Sequence, residues 1–448
     1  MTTFESMKQA LVAAAQRAGL TQYEIYAQSE ESISAETLKD EISSFSSSNA
    51  GGICFRCIVD GKMGYASGEL MTEDAMEDMV NAAISNARCI DNDDEVFIFA
   101  GSPAYATPNV PAPSLPEATA IRDTALALQR ALYATSEKVS DGTQTAAIAM
   151  TSEVHLFNSN GLELSNRVGM SGAYAAPVVR DGDEAQENFE FGLGSSYEAL
   201  TDLPAKAVQG ALDKLGAGLV ESGKYDVVFD GSQFRQFLST FSPVFSAKNA
   251  QLGLSLLAGK EGTTVAAPCV TLVDDPMREG SPMQTPFDGE GVATARRNVI
   301  ENGELKTLLY DLTTAKKAGV TSTGNGQKGS YASPVGIAPY NFSIAPGTAN
   351  EEELFAAVGN GVYITGCKGF HAGANPVTGD FSIESAGFMI RNGKRAEPIK
   401  SFTVAGNFFE LLKQIDLIGN DVKWGIPGGF TVFGSPTLVV RGMSIAGK

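Results

Sequence analysis

Histidine is almost missing from this chain: there are two in 448 residues, His155 and His371. A zinc site of the H-E-x-x-H kind needs two histidines four apart on one helix face, so that both reach the ion while the glutamate activates a water. That motif cannot be written here, and the expectation is a protein with no metal and no cofactor. Nucleophile and phosphate motifs are missing too. There is no G-x-S-x-G, and Gly192-Leu193-Gly194-Ser195-Ser196 resembles a phosphate loop without the lysine-led helix that should follow. Basic residues are in deficit, 33 against 52 acidic, a net charge of −19. Phosphate backbones demand a basic face, and no local cluster of Lys and Arg offsets the total, so direct nucleic-acid binding is excluded as an expectation. Long apolar runs are also lacking; none approaches the roughly eighteen residues of a membrane span. The N-terminus, M-T-T-F-E-S-M-K-Q-A, has an early acidic residue and no apolar signal core, so a cytoplasmic protein without membrane contact is expected.

Cysteine is sparse and odd in number, five in all. Cys54 and Cys57 form C-x-x-C, but within a strand-like run, where residues three apart point to opposite faces. Two thiols so placed make neither a redox pair nor half a metal site.

What is present reads as a globular protein with a real core: 43% apolar and 19% charged residues. Thr2–Arg17 reads as a helix, with Thr2 and Glu5 as a capping box. Tyr23–Glu30, Ser32–Glu36 and Cys54–Val59 read as strands, and the serine-rich Ser43–Asn49 as a loop or a loosely packed edge. Thr72–Arg88 is a second helix, N-capped by Thr72. Gly101–Pro116 carries five prolines and reads as an extended linker that wraps over the surface. Glu117–Thr135 is helical, Thr143–Phe157 and Leu162–Val179 are strands, and Ala205–Leu219 is a third helical segment. After Gly223 come a buried-type strand (Lys224–Asp230), a helix (Phe234–Phe245, with Pro243 near its end), and then mostly turns and short strands. Asp60-Gly61, Asn160-Gly161, Asn302-Gly303 and Asn392-Gly393 sit between strand-like runs and mark hairpins. The fold class expected is α+β: an N-terminal two-layer α/β domain over residues 1–220, with the proline-rich linker 101–116, then a β-dominated, antiparallel, barrel- or sandwich-like domain over residues 221–448.

Three groups carry candidate chemistry. Asp288-Gly289-Glu290-Gly291, followed by Arg296 and Arg297, could pair internally or grip a peptide terminus; alternatively its carboxylates cap backbone amides in a turn. In Gly366–Asp421 the small polar residues cluster at Gly373–Asp380, Asn392-Gly393, Ala405–Asn407 and Gly419–Asp421. Loops there could line a cleft, or serve only as turns. Cys367 and His371 are the one Cys/His pair close together in sequence, a weak signal for a metal or a nucleophile. His155, inside E-V-H-L-F, reads as structural.

Four motifs in order, P-F-D-G-E-G-V-A-T-A-R-R-N-V-I-E-N-G-E-L-K, N-P-V-T-G-D-F-S, T-V-A-G-N and I-G-N-D, resemble the TldD/PmbA family, whose members are often labelled modulators of DNA gyrase. The resemblance implies a branch. In the zinc-peptidase branch, H-E-x-x-H or H-E-x-x-x-H lies on the helix after the Lys224–Asp230 strand; here Thr240 and Val244 (or Phe245) take those positions. That branch also draws a cysteine from near its C-terminus, and none follows Cys367. The chain thus looks like the PmbA, or TldE, branch, inactive alone. The implied partners are a metal-bearing TldD-like subunit (or a second copy) and unfolded or precursor peptides, with any gyrase link indirect. Asp288, Glu290, Arg296, Asn375, Thr378, Asp380 and Asn407 would then line a peptide cleft without chemistry. Two rivals remain: a stand-alone homodimeric peptide binder, and a hydrolase using Cys367 and His371.

Overall fold

Alternating apolar residues build one long sheet first, and helices then cover it. The structure is a computed structural model that describes residues 4–69, 72–91 and 95–448. The expected cap at Thr2 lies outside the described residues. Helix α1 (Phe4–Arg17) is followed by β1 (Tyr23–Leu38), β2 (Glu41–Val59) and β3 (Lys62–Gly68). Helix α2 (Glu73–Arg88) starts where Thr72 accepts from the Ala75 amide, at 3.3 Å. Next come α3 (Ala118–Thr135), β4 (Gln144–Asn158), β5 (Glu163–Ala176), β6 (Val178–Asp181), β7 (Glu184–Glu187), β8 (Glu190–Leu193) and α4 (Leu203–Leu212). The strands order β3-β2-β1-β4-β5-β8, antiparallel throughout.

Two helix pairs share one face of this sheet. Over β1 and β2, α1 and α2 bury Leu11, Met76, Val80 and Ala83 against Ile25, Phe55 and Cys57. Over β4 and β5, α3 and α4 bury Ile121, Leu128 and Leu132 against a row of alanines, Ala147, Ala149, Ala173 and Ala175. Small residues there let the helices sit close. The opposite face presents Tyr26, Cys54, Val154 and Leu156 to the rest of the chain. Cys54 and Cys57 therefore fall on different faces, as their spacing requires.

Several element boundaries differ from those read in the sequence. The two expected strands at Tyr23–Glu30 and Ser32–Glu36 are one strand. Of the two readings of the serine-rich stretch, the loosely packed edge holds: Ser44–Asn49 pairs with Glu31–Glu36 as an edge ribbon solvated on both faces. Water on both sides removes the alternation that would have marked it as a strand. The third helical segment is shorter than expected and ends at Leu212.

The second half begins with β9 (Gly223–Phe229) and α5 (Gly231–Phe241). Asp230 caps α5 by accepting from the Ser232 amide at 2.8 Å, and the chain tightens into a 3-10 turn over Ser242–Phe245 at Pro243. That is why the helix stops short of Phe245. There follow α6 (Ala247–Gln251), β10 (Leu272–Asp274), β11 (Arg297–Glu301), β12 (Glu304–Leu305), α7 (Leu312–Ala318), β13 (Gly326–Lys328), β14 (Val335–Ile337), β15 (Asn341–Ile344), α8 (Glu351–Val358) and β16 (Gly361–Lys368). The chain ends through α9 (Phe370–Gly373), β17 (Asp380–Arg391), β18 (Lys394–Asn407), α10 (Phe408–Gln414), β19 (Ile415–Trp424) and β20 (Val432–Ala446).

Strand β20 is the hub. It pairs with β9, β15, β18 and β19, so that β9-β16-β17-β18-β20 closes on itself as a ring. Helix α5 packs a phenylalanine cluster against it: the Phe237 ring meets Phe370 at 4.9 Å and Phe381 at 5.0 Å, and Phe241 stacks on Phe408 at 4.5 Å. Among the described residues no helix is long and apolar enough to cross a membrane.

Three of the hairpin dipeptides have positive φ at both residues: Asp60-Gly61 (52° and 76°), Asn302-Gly303 (50° and 84°) and Asn392-Gly393 (51° and 71°). At Asn160-Gly161 only the glycine does, at 86°. A further turn of this kind, Lys39-Asp40 at 54° and 60°, carries no glycine. Its strain is offset by the Asp40 amide donating to Gln129 Oε1 and by Arg130 Nε donating to Asp40 Oδ1 (2.8 and 2.7 Å).

Gly64 marks where α2 lies closest to β3, since a Cβ there would stand 2.0 Å from the Ala83 carbonyl oxygen. Gly64→Ala should therefore cost about 1–3 kcal/mol of stability through overpacking, read as a lower denaturation midpoint in a urea titration; an unchanged midpoint would refute the close packing.

Candidate functional site

The proline-rich strap ties the two halves together. Tyr105 donates from its hydroxyl to the Gly291 carbonyl (2.8 Å) and sets its ring edge-on to Phe287. Ser102 Oγ accepts from the Ala293 amide at 2.9 Å, and Gln284 Oε1 accepts from the Asn109 and Val110 amides at 2.7 and 3.1 Å. The strap thus clamps Gln284–Ala293, which contains the acidic turn, against the open face of the first sheet.

Asp288 is almost wholly enclosed. Its Oδ1 accepts from the Glu290 and Val292 amides (2.9 and 3.0 Å) and its Oδ2 from the Gly326 amide (2.9 Å). Glu290 Oε2 accepts from the Leu312 amide at 2.8 Å. A Cβ on Gly326 would come within 2.8 Å of Glu290 Oε2 and 3.1 Å of Asp288 Oδ2, so glycine is what lets both carboxylates close over that strand. A third acid, Asp311, caps α7 through the Thr314 amide (2.7 Å). Burial raises Asp288 and Glu290 well above the usual carboxylate range, and for Glu290 the neighbouring Asp288 adds to it. Burial also lifts Asp274, hydrogen-bonded to Asn325 and the Tyr340 amide, to about 6.

The first sheet answers with its own charges. Glu24 on β1 and Arg56 on β2 form a buried ion pair at 2.7 Å, 2% and 8% exposed at their side chains. Among the described residues Glu24 Oε2 and Arg56 Nε have no hydrogen-bond partner. Lys328, at the end of β13, reaches the same place; it donates to the Ser333 carbonyl (2.7 Å) and lies over the Tyr26 ring. Between these groups and Phe287, Tyr340 and Phe430 runs a narrow cleft with room for about one water. A second, tighter one adjoins it, sharing Tyr26, Gly289 and Lys328 and lined by Glu24 and Arg56.

The candidates read from the sequence separate into two places. Asp288 and Glu290 come together in the seam between the sheets. Arg296 does not join them; it is exposed and 3.7 Å from Asp275, while Arg297 Nη2 donates to the Thr323 carbonyl. Asn375, Thr378, Asp380 and Asn407 form a surface turn that satisfies itself. Asn375 Oδ1 accepts from the Val377 and Thr378 amides (3.0 and 3.3 Å), and Asn407 Nδ2 donates to the Thr378 carbonyl and Asp380 Oδ1, both at 2.9 Å. Asn407 also caps α10 at the Phe409 amide.

Cys367 and His371 do not make a dyad. The Cys367 thiol is buried 3.8 Å from Ser385 Oγ, and burial pushes it up to about 12, so no thiolate is available near neutrality. His371 is exposed on α9. His155 stacks on Phe4 at 4.4 Å, beside Glu153.

Glu24, Arg56, Lys328, Tyr26 and Tyr340 were not singled out from the sequence. A signal existed for the first two: each is a charge inside an apolar strand run, Y-E-I-Y and C-F-R-C. Such a charge needs a buried partner, but which one is settled only in three dimensions.

A bound metal does not fit the residues present. On α5, Phe234, Phe237, Leu238 and Phe241 are fully buried, and Val244 beyond it is buried too. Among the described residues no three His, Cys, Asp or Glu side chains are grouped so as to hold an ion.

Family models match most of this chain. PmbA/TldA metallopeptidase domain 1 covers residues 23–87, the central domain 109–215 and the C-terminal domain 222–447. An uncharacterized protein of Methanocaldococcus jannaschii is 35% identical over 60% of this chain and 62% of its own length. A protein of Methanothermobacter thermautotrophicus named a metalloprotease is 30% identical over 63% of both chains. The aligned part thus spans under two thirds of these two relatives. The crystal structure of a candidate modulator of a DNA gyrase from Thermotoga maritima superposes with a TM-score of 0.90 at 29% identity, covering 99% of this chain and all of that one.

The seam carboxylates set a pH dependence. An acid whose folded pKa is raised holds its proton better folded than unfolded, so stability is full below the unfolded pKa and falls as pH rises towards the folded one. The loss begins near the ordinary carboxylate value of about 4, passes about 6 at Asp274, and continues through the still higher titration of the Asp288–Glu290 pair. Glu290→Gln keeps the acceptor for the Leu312 amide without the charge. It should match the parent's melting temperature at pH 5 and exceed it at pH 8; equal pH slopes would contradict the assignment.

Proposed function

The chain belongs to the PmbA/TldD metallopeptidase family, and we propose that it is the metal-free subunit of a two-protein peptidase, acting beside a metal-bearing relative on unfolded or precursor peptides. The observation that carries this reading is α5. By the resemblance, the catalytic branch's zinc ligands would fall at Thr240, near the end of α5, and at Val244 or Phe245, buried in the 3-10 turn that follows; none of the three side chains is a zinc ligand, and the stretch around them packs Phe237 and Phe241 into an aromatic wedge. On this reading the stretch serves packing and not chemistry. The buried, protonated Cys367 thiol weighs against a hydrolase built on Cys367 and His371.

The same proposal includes a cytoplasmic location and two structural units meeting near residue 220, the first supplying the sheet face and the second the ring of strands. No metal takes part in any step on this chain. Its own groups bind and orient: backbone amides hold the Asp288 turn, and the strap fixes it against the first sheet.

The test is reconstitution. The purified chain should cleave no unfolded peptide and, after dialysis, retain well under one zinc per chain by elemental analysis. Mixed with a metal-bearing relative, it should raise cleavage above that of the relative alone and co-elute with it. Cleavage by this chain alone, or no effect and no complex on mixing, would end the subunit reading.

A further inference from the structure

Three leucines stand in water on one loop. Leu252, Leu254 and Leu256, in the segment that follows α6, are 63%, 45% and 50% exposed. The residues between and after them turn inward: Ser255 and Leu257 are buried. Hydrogen bonds hold the loop in that pose. The Leu254 amide donates to the Asn249 carbonyl at 2.7 Å, Asn249 Nδ2 to the Pro243 carbonyl at 2.9 Å, and the Ser255 hydroxyl to the Val244 carbonyl. The leucines are thus displayed by a loop that is itself anchored. Large apolar side chains grouped at a surface in this way mark an interaction site.

Charge around the loop narrows the occupant. From Gly231 to Lys260 the chain has no Asp or Glu, although it carries 52 in all. Lys248 and Lys260 flank the leucines; both are exposed, and neither is held by a carboxylate among the described residues. The complementary surface is therefore apolar and edged with carboxylates. A second copy of this chain does not supply it through the same patch, because about a two-fold axis the patch meets itself, lysines against lysines. An anionic bilayer would attract the two lysines, but the net charge of −19 opposes its approach. The occupant that fits is a different protein.

We propose that this loop docks the metal-bearing relative, with Leu252, Leu254 and Leu256 entering an apolar socket whose rim of carboxylates meets Lys248 and Lys260. Only Ser246 and the short α6 separate the loop from the 3-10 turn Ser242–Phe245. Docking there seats the partner close to the stretch where the resemblance puts the zinc ligands of the catalytic branch. This rests on the two-protein reading and adds to it the surface that joins the two chains.

The test is isothermal titration of the full chain with the H-E-x-x-H- or H-E-x-x-x-H-bearing relative from the same cells, at low and high salt. The triple variant Leu252→Ser, Leu254→Ser, Leu256→Ser should bind about tenfold or more weaker, as loss of the apolar centre of an interface predicts. Lys248→Glu with Lys260→Glu should weaken binding too, most of all at low salt, where screening is least. Leu193→Ser, which removes a similarly exposed leucine on β8, should leave it unchanged. Circular dichroism melts of the variants should match the parent, since every replaced side chain is exposed. Parental affinity in the triple variant, or equal weakening by Leu193→Ser, overturns the docking surface and leaves the two-protein reading standing. A parent that forms no complex ends the two-protein reading and the docking surface together. Self-association in sedimentation equilibrium, or co-sedimentation with vesicles of anionic phospholipid, either one abolished in the triple variant, overturns the assignment to a different protein.

Discussion

Taking charge out of water is the constraint on which the seam depends. Two sheets meet there over Glu24, Arg56, Asp288, Glu290 and Lys328, all nearly enclosed. Each carboxylate is tolerated because something fixed points at it: an arginine for Glu24, and main-chain amides for Asp288 and Glu290. Those amides come from the acidic turn itself, the start of β13 and the start of α7. The seam therefore holds only if Gln284–Ala293, β13 and α7 are all in register. The strap secures the first of these from outside, and Gly326 makes room for the carboxylates within. Remove any one, and a buried acid loses the partner that justifies its burial.

The same contacts hold the acidic turn in place. Asp288 accepts from three amides and Glu290 from one, and these bonds fix the loop. Lys328 hydrogen-bonds a neutral carbonyl and lies over the Tyr26 ring, with Glu24 and Glu290 as charged neighbours. The Asn375–Asp380 turn likewise bonds its own amides, and Asn407 beside it caps α10.

Much of the architecture was legible in the chain, for identifiable reasons. Asn-Gly and Asp-Gly turns announce themselves because glycine is the residue that tolerates positive φ, and a helix–strand texture giving way to strands predicted the α+β class. The opposite facing of Cys54 and Cys57 followed from strand geometry alone. What was hidden needed tertiary contacts to exist at all. The Lys39-Asp40 turn is held by Gln129 and Arg130 of α3, some ninety residues on. Ser44–Asn49 pairs with β1 without burying a face, so the sequence could not decide between a loop and an edge there. For the site, Asp288 and Glu290 were visible as a motif; Glu24, Arg56 and Lys328 were not, because they lie on three strands of two sheets and acquire meaning only where these meet.

The closing strand of the ring carries a consequence for how the molecule is made. Strand β9 emerges from the ribosome some two hundred residues before β20, its antiparallel neighbour, and β15, β18 and β19 wait for that same strand. Loop closure over such separations is slow. The first sheet, whose pairings are complete by Leu193, can assemble during synthesis. The second half must hold its phenylalanines and unpaired edges open until the last strand arrives. In a cell, that interval is where chaperone dependence and aggregation of this protein would concentrate, and a nascent chain stalled short of Val432 would expose it.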